Sequence, residues 1–277
     1  MSSPVLQYAA FTDRPQGGNP AGVVLDARGL DDSTMLAIAA DLGYSETAFL
    51  FPRTGQVYDI RYFSPLAEIP FCGHATIATA VALAERNGPG ALMFHAPVGA
   101  VPVETRVDGD RVLATLTSVA PYVEAVPADL LRDALAALRW TEGDLDPMLP
   151  PRIACAGNRE LVLAVRTRET LRALDYDFAA LQRTLAALDA PGAELVWRES
   201  ATVFHARSPF PFGGVVEDPA TGAAAAAFGA YLRELQLVTP PATITIHQGE
   251  DMGRPSLLIV DIGEQGGIRV TGQAVRM

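Results

Sequence analysis

Glu46 is the first residue whose surroundings would change its chemistry. It stands in Gly43-Tyr44-Ser45-Glu46-Thr47-Ala48-Phe49, where Gly43 is expected to end a helix and Thr47 to continue into a strand. A carboxyl group that enters a strand among apolar residues loses water, and this raises its pKa toward the range of a general acid or base. The pattern also fits a solvated glutamate on an edge strand, so the sequence leaves both interpretations open.

His74 and Cys72 flank a glycine that is expected to begin a helix. The positive end of that helix would lower the pKa of His74, and a neutral imidazole can accept or donate a proton near pH 7. A capping or packed histidine fits the same position. Cys72 could act as a thiolate at a helix N-terminus. However, the matching turn later in the chain has no cysteine, and Cys155 falls in another predicted strand, so we predict a packed thiol.

Asp218 precedes a second alanine-rich helix, in Glu217-Asp218-Pro219-Ala220-Thr221-Gly222. It could cap that helix, or it could contact substrate and act as a proton partner of His74. Two helix N-termini, one at Gly73 and one at Thr221-Gly222, would together present unpaired amides that bind a carboxylate or an enolate without a metal or an arginine. Glycine and alanine also permit close helix packing, and both roles are compatible.

The elements that would position these residues occur twice in the chain. Each half begins with a Gly-Asn pair before a strand, which is followed by a helix and a second strand. A further strand then ends in Ser-Pro, and an alanine-rich helix leads to a strand that contains a histidine. The Ser-Pro pairs stand 208 − 64 = 144 positions apart. An ordered series of matches predicts two similar lobes with a site between them. The paired landmarks are Gly18-Asn19 with Gly157-Asn158, Ser64-Pro65 with Ser208-Pro209, and Gly73 with Gly222.

The strand signals indicate the fold class. Alternating β-branched segments such as VYDIRYF and SLLIVDI predict strands, and Asp108-Gly109 predicts a hairpin turn. No GxGxxG motif follows a first strand, and no Walker lysine motif is present. We therefore predict an α+β protein of two pseudo-symmetric lobes, residues 1–120 and 121–277, with largely antiparallel connections and one long helix in each lobe. The last strands could cross back to the first lobe.

Composition excludes several classes of function. The 277 residues are 49% hydrophobic, which excludes wholesale disorder, and the net charge of −11 argues against binding to nucleic acid or an anionic membrane. No signal peptide or membrane span is expected, and two cysteines are too few for a disulfide scaffold, so we predict a cytoplasmic protein. His95, His205 and His247 lack metal-ligand spacing, so we predict no metal site.

The chain resembles the phenazine-biosynthesis isomerase (PhzF-like) family, part of the diaminopimelate epimerase-like fold superfamily. The resemblance covers nearly the full length and depends on an ordered set of motifs rather than on any single one. These motifs are Gly18-Asn19-Pro20-Ala21-Gly22, Ser45-Glu46-Thr47, Phe63-Ser64-Pro65, Pro70-Phe71-Cys72-Gly73-His74-Ala75-Thr76, Val216-Glu217-Asp218-Pro219-Ala220-Thr221-Gly222-Ala223, Gln248-Gly249 and Gly253-Arg254-Pro255-Ser256.

The resemblance implies that each lobe is an antiparallel β-barrel-like sheet wrapped round a central α-helix, and that the protein is a homodimer. It also implies cofactor-free isomerisation of a dihydro-hydroxyanthranilate, in which Glu46 moves a proton between carbons with help from His74 and Asp218. The residues it assigns to substrate binding are Asn19, Ser64, Gly73, Thr221 and Gly222. One departure is Ala223, where many members carry serine, so a side-chain hydroxyl is lost from the site.

The functional prediction is a cofactor-independent isomerase that moves a proton between carbons of a small carboxylate-bearing metabolite. Aromatic residues at the expected pocket wall indicate a ligand with a flat or apolar portion. Two alternatives stay open: an amino-acid epimerase that uses Cys72 as a base, and a non-catalytic small-molecule binding protein of the same fold. The expected wall residues are Tyr44, Phe71, Phe210 and Phe212.

Overall fold

The computed structural model describes residues 4–277, which form six α-helices and seventeen strands. The helices are α1 (Asp32–Leu42), α2 (Gly73–Asn87), α3 (Ala128–Ala137), α4 (Arg168–Arg172), α5 (Phe178–Ala187) and α6 (Gly222–Glu234). The strands are β1 (Leu6–Ala10), β2 (Asn19–Val24), β3 (Glu46–Pro52), β4 (Val57–Phe63), β5 (Glu68–Ile69), β6 (Ala91–Ala96), β7 (Gly99–Asp108), β8 (Arg111–Thr117), β9 (Tyr122–Ala125), β10 (Arg152–Cys155), β11 (Arg159–Val165), β12 (Gly192–Arg198), β13 (Val203–Phe210), β14 (Val215–Asp218), β15 (Ala242–Gln248), β16 (Ser256–Ile262) and β17 (Arg269–Arg276).

The predicted duplication is confirmed by the element order. The first half runs β2-α1-β3-β4-α2-β6, and the second repeats it as β11-α5-β12-β13-α6-β15. Local signals fix the ends of α1: the Asp31 side chain accepts a hydrogen bond from the Thr34 amide at 2.8 Å, and Gly43 ends the helix at a φ of 66°. The structure therefore contains the two similar lobes that the sequence predicts.

The first lobe is a closed eight-stranded barrel around α2. Its strands pair in the order β1-β2-β3-β4-β6-β7-β8-β17, and β17 pairs again with β1. The second lobe curves β9-β10-β11-β12-β13-β15-β16-β17 around α6. β17 thus belongs to both lobes, which share one continuous sheet.

The largely antiparallel arrangement is interrupted by two parallel pairs in each lobe. β2 pairs with β3 and β4 with β6 in the first lobe, as β11 pairs with β12 and β13 with β15 in the second. A helix connects the two strands of every parallel pair, and such a crossover is what parallel neighbours require. In addition to its central helix, the first lobe has one shorter helix, α1, and the second has three, α3, α4 and α5.

The two central helices are buried on every side. All residues of α2 from Gly73 to Ala84 and all residues of α6 from Gly222 to Leu232 are buried. A helix enclosed by a barrel has no solvent-facing stripe, and small side chains let the surrounding strands approach it closely. This explains the alanine-rich segments of the sequence. Within residues 4–277, none of the helices has the length and apolar character needed to cross a bilayer.

Candidate active site

The N-termini of the two central helices meet backbone to backbone. A Cβ atom placed on Gly73 would lie 3.0 Å from the Ala223 amide nitrogen and 3.0 Å from the Gly222 Cα. A Cβ atom on Gly222 would lie 3.4 Å from the Gly73 Cα. Only glycine at Gly73 leaves this approach undistorted, because ordinary carbon contacts are longer. The unpaired amides and the positive ends of both helices therefore converge on one place.

A cavity of about 490 Å³ opens at this meeting point, between the two lobes. Its wall is mostly apolar, with a few acidic groups that face inward. Phe71, Phe210 and Phe212 line it as expected, whereas Tyr44 lies outside it and donates its hydroxyl to Gln7. The predicted residues that line the cavity are Glu46, Gly73, His74, Asp218, Thr221 and Gly222, together with Cys72 and Ala223.

Glu46 begins β3 and points into the barrel, on the same face as Ala48 and Leu50. Only 3% of its surface is exposed, so the buried interpretation holds and the solvated edge-strand interpretation is wrong. Burial raises its pKa above the ordinary range, and hydrogen bonds from Ser45 and Cys72 oppose the rise. When ionised, this carboxylate is a stronger base than a solvated one.

His74 lies in the first turn of α2, with its Nε2 atom 3.4 Å from Oε2 of Glu46. The Asn19 side-chain amide nitrogen lies 3.0 Å from its Nδ1 atom and the Ser45 hydroxyl lies 3.4 Å from its Nε2 atom, so both ring nitrogens have polar neighbours. The pKa of His74 is lowered to about 3, so the ring is neutral near pH 7. The direction agrees with the sequence prediction, but the main cause is burial rather than the helix end.

Asp218 ends β14 and is connected to both lobes by its hydrogen bonds. Asn19 donates to its Oδ1 atom at 2.6 Å, and the Thr221 hydroxyl donates to its Oδ2 atom at 3.0 Å. The capping interpretation is wrong, because the donors to the Asp218 carboxyl group are the Asn19 side chain and the Thr221 hydroxyl rather than a backbone amide of α6. Burial first, and then the charge of Glu46, raise the pKa of Asp218. Since two neighbouring buried carboxylates repel each other, one of the pair keeps its proton when the other is ionised.

Gln248 holds the second helix N-terminus in place. Its Oε1 atom accepts the Thr221 amide at 3.0 Å, and its Nε2 atom lies 2.8 Å from the Asp218 carbonyl oxygen. The Thr221 amide is therefore engaged by protein. A role for that amide in holding substrate would require Gln248 to release it. Gln248 stood in a motif of the sequence but was not predicted to belong to the site.

Cys72 packs against the predicted acid–base residues. Its Sγ atom lies 3.5 Å from Oε2 of Glu46 and 3.3 Å from Nδ1 of His74. Burial, followed by the charge of Glu46, raises the pKa of the thiol well above its usual range. Glu46, Cys72 and His74 are also close enough to share a metal ion, since their ligand atoms lie within 4.8 Å of one another. The raised thiol pKa opposes that use, because a metal binds the thiolate.

Asn19 and Ser64 do not line the cavity. Asn19 is buried behind the wall and donates to Asp218 and to the Ala220 carbonyl oxygen, so it positions other residues. The Ser64 hydroxyl is used within its own turn, where it donates to the Ala67 carbonyl oxygen at 3.0 Å and accepts from the Ala67 amide at 3.1 Å. Its counterpart in the second half, Ser208, lines the cavity instead.

The family of the chain follows from comparison with known proteins. A family model described as phenazine biosynthesis-like protein matches residues 8–277. The chain belongs to this family. The uncharacterized isomerase YfhB of Bacillus subtilis is 31% identical over 284 residues, covering 98% of this chain and 95% of that protein. The trans-2,3-dihydro-3-hydroxyanthranilate isomerase of Pseudomonas fluorescens is 32% identical over 253 residues, covering 90% of this chain and 86% of that protein.

Solved structures agree with this assignment. The structure of a predicted epimerase from Pseudomonas aeruginosa matches with a TM-score of 0.89 and 30% identity, over 100% of this chain and 97% of that chain. The resemblance seen in the sequence is therefore confirmed, and this phenazine biosynthesis-like protein is an isomerase.

Two acidic residues of this phenazine biosynthesis-like chain were missed by the sequence analysis. Glu194 is the counterpart of Glu46. Extending the β3–β4 register by one residue puts Glu46 opposite Ser64, and extending the β12–β13 register likewise puts Glu194 opposite Ser208. The Ser208 hydroxyl donates to Glu194 Oε2 at 2.6 Å. Glu194 is fully buried and does not line the cavity, whereas Glu160 of β11 does. The matched Ser-Pro pairs were the signal that could have revealed Glu194.

Proposed function

We propose that the protein is a cofactor-independent isomerase that moves a proton between two carbons of a small carboxylate-bearing metabolite. The observation that carries the proposal is a buried carboxyl group, Glu46, at a cavity where two helix N-termini converge. Chemistry of this kind needs a base of raised pKa and a place for negative charge to develop, and both are present.

In the proposed reaction, Glu46 removes a proton from a carbon next to an unsaturated system. The electron pair of the broken C–H bond spreads onto an oxygen or a carboxylate of the ligand, near the amides that begin α2 and α6. The protonated Glu46 then returns the proton to another carbon of the ligand. Glu46 is ionised again at the end of the reaction, and the charge of the ligand is unchanged. His74 assists as a neutral imidazole whose Nε2 atom lies 3.4 Å from Oε2 of Glu46, and Asp218 keeps a proton while Glu46 is ionised.

The proposal is tested by hydrogen exchange in deuterated water. The protein is incubated with trans-2,3-dihydro-3-hydroxyanthranilate and with a panel of small unsaturated carboxylates, and label uptake is measured by mass spectrometry. Glu46→Gln should lower uptake at least about 100-fold, since a positioned acid–base group contributes that much, while calorimetry shows that the ligand still binds.

Glu194→Gln is the matched control, because Glu194 has the same type of buried position in the other lobe but does not reach the cavity. It should keep the exchange rate of the unmodified protein. Undiminished label uptake by the Glu46→Gln variant would refute the proposed role of Glu46. Tight binding of a metabolite without exchange at any carbon would support the alternative of a non-catalytic binding protein.

We further propose that the protein is a homodimer, as the resemblance implies, and that it works in the cytoplasm. Light scattering should then give a particle mass near twice the 29.3 kDa of one chain. A mass of one chain over the whole concentration range would contradict the dimer.

A further inference from the structure

Arg254 belongs to a sequence motif, Gly253-Arg254-Pro255-Ser256, that the proposed reaction does not use. It lies in the turn between β15 and β16 and does not line the cavity. Its Nε atom donates to the Gly18 carbonyl oxygen at 2.8 Å, and a terminal nitrogen donates to the Gly17 carbonyl oxygen at 2.7 Å. Arg254 is in the second lobe and both glycines are in the first, so its guanidinium connects the two lobes.

The two carbonyl groups that Arg254 holds belong to a buried Gly-Gly pair directly before β2. Gly18 has a φ of 62°, and its amide donates to the Pro255 carbonyl oxygen at 3.1 Å. Donors and acceptors of this segment are therefore both bonded to the same turn of the second lobe. Because glycine has the most backbone freedom of any residue and no side chain to pack, these bonds restrict where β2 begins.

The charge of Arg254 is used for these carbonyl groups rather than for an ion pair. Burial lowers the pKa of its guanidinium from the ordinary value, and the nearby Tyr44 opposes that change. Within residues 4–277, no carboxylate pairs with the guanidinium. It remains charged near pH 7, and charge-assisted hydrogen bonds are roughly twice as strong as neutral ones.

Asn19 follows the glycines and joins the proposed acid–base residues. Its amide nitrogen lies 2.6 Å from Oδ1 of Asp218, 3.0 Å from Nδ1 of His74 and 3.0 Å from the Ala220 carbonyl oxygen. These acceptors come from both lobes and surround a single NH₂ group, so the position of Asn19 affects all of them. A displacement of Gly18 would therefore disturb His74 and Asp218 together.

The turn that contains Arg254 also holds the N-terminus of α6. It follows Gln248, whose side chain accepts the Thr221 amide. The Arg254 amide donates to the Gly249 carbonyl oxygen at 2.9 Å and closes the turn. One short turn of the second lobe thus holds the segment before Asn19 on one side and the start of α6 on the other.

We propose that Arg254 is a positioning residue: by holding Gly17 and Gly18 from the second lobe, it keeps the Asn19 amide between His74 and Asp218. This inference rests on the proposed function for the reaction that His74 and Asp218 assist. It assigns a role to a motif that lies outside the cavity.

Arg254→Ala removes both bonds, and Arg233→Ala is the matched control. Arg233 of α6 also donates to the carbonyl oxygens of two glycines, Gly263 at 3.2 Å and Gly266 at 3.0 Å, in the turn between β16 and β17. At saturating ligand, Arg254→Ala should lower the rate of deuterium uptake roughly 10- to 100-fold with little change in KM, since small displacements of reacting groups cost that much. Arg233→Ala should keep the rate, and an equal loss in both variants would overturn the inference.

Nitrogen-15 NMR of the four histidines gives a readout that does not depend on activity. The ring signals of His74, assigned with a His74→Gln variant, should shift in Arg254→Ala and stay unchanged in Arg233→Ala. Arg254→Gln keeps a nitrogen donor at the side-chain position of Nε, so it should give a smaller shift, and it replaces Arg254→Ala if that variant does not fold. His74 signals that are unchanged in both Arg254 variants would overturn the inference.

A double variant shows whether Arg254 acts through Asn19. Where two residues act through one another, their effects do not simply add. The Asn19→Ala, Arg254→Ala protein should therefore take up deuterium about as slowly as Asn19→Ala alone. If the two single losses instead multiply in full, Arg254 does not act through Asn19 and the inference is wrong.

The two proposals can fail separately. If no metabolite exchanges deuterium but the His74 signals depend on Arg254, the proposed proton transfer fails and the hold of Arg254 on Asn19 stands. If exchange depends on Glu46 but neither the rate nor the His74 signals respond to Arg254→Ala, only the role of Arg254 fails.

Discussion

Replacing Gly73 by alanine tests whether the close meeting of the two helices is essential. The new methyl group would lie 3.0 Å from the Ala223 nitrogen, 3.0 Å from the Gly222 Cα and 3.1 Å from the Gly222 carbonyl carbon. All three are backbone atoms of the other helix, so a side-chain rotation cannot relieve the contact. Restoring an ordinary contact of about 3.4 Å requires the helix N-termini to separate by about 0.4 Å.

Overpacking of this kind costs about 1–3 kcal/mol of the free energy of unfolding. The same separation would lengthen hydrogen bonds from both helices to a shared anion, and we expect the affinity for a carboxylate ligand to fall roughly tenfold. Urea denaturation measures the first effect, and calorimetry with the ligand found in the exchange screen measures the second.

Gly222→Ala is the matched variant, at the first position of the other central helix. Its methyl group would meet the Phe11 ring at 3.2 Å and the Gly73 Cα at 3.4 Å. Because an aromatic side chain can shift more easily than backbone, Gly222→Ala should be less destabilising than Gly73→Ala. The reasoning is refuted if Gly73→Ala is as stable as the unmodified protein, or if Gly222→Ala is the more damaging of the two.

Three further predictions follow from the charges and donors of the site. Burial raises the pKa of Glu194 to about 8. Between pH 4.5 and 8 the folded state therefore holds a proton that the unfolded state has lost, and the free energy of unfolding falls as the pH rises. Glu194→Gln should reduce this loss of the free energy of unfolding by up to about 4 kcal/mol between pH 5 and pH 8.5, as measured by urea denaturation. If the free energy of unfolding of the variant depends on pH as that of the unmodified protein does, Glu194 is not protonated in the folded state. Cys72→Ala should keep deuterium uptake within about tenfold of the unmodified protein, because a thiol of raised pKa is a poor base; loss of all uptake, with Cys155→Ala unaffected, would favour the cysteine-dependent epimerase. Dialysis against a chelator should leave uptake unchanged, and a loss that zinc restores would assign a metal to Glu46, Cys72 and His74.

The sequence predicts the fold well because the information that defines it is local and repeated. The Ser-Pro pairs, the glycine that ends α1 and the alanine-rich helices each depend on a few neighbouring residues, and duplication gives every signal a second instance. The parallel pairs were not predicted, although the helix between β2 and β3 already implied a crossover. The sequence analysis allowed the last strands to cross back to the first lobe, and β17 does so. Its exact position between β1 and β8 could not be predicted, because pairing between residues so distant in the chain has no local signature.

The site was predicted only as far as each residue's own neighbours determine its environment. Apolar residues after Glu46 indicated its burial, and the structure bears this out. Asn19 and Ser64 were assigned to substrate binding from motifs alone, and their side chains instead bond to protein groups. Glu160 was missed because the room for its carboxyl group in the cavity wall depends on the missing side chain of Gly192, which pairs with it from a strand 192 − 160 = 32 residues later in the sequence.

β17, the strand that the two lobes share, limits the order in which the fold can be completed during translation. β17 is the last strand of the chain described here, yet the barrel around α2 closes only when β17 lies between β1 and β8. A nascent chain that has emerged as far as β8 therefore exposes two unpaired strand edges on the ribosome. Such edges are sites for pairing with other chains, so the first lobe is most prone to aggregation before β17 has been made.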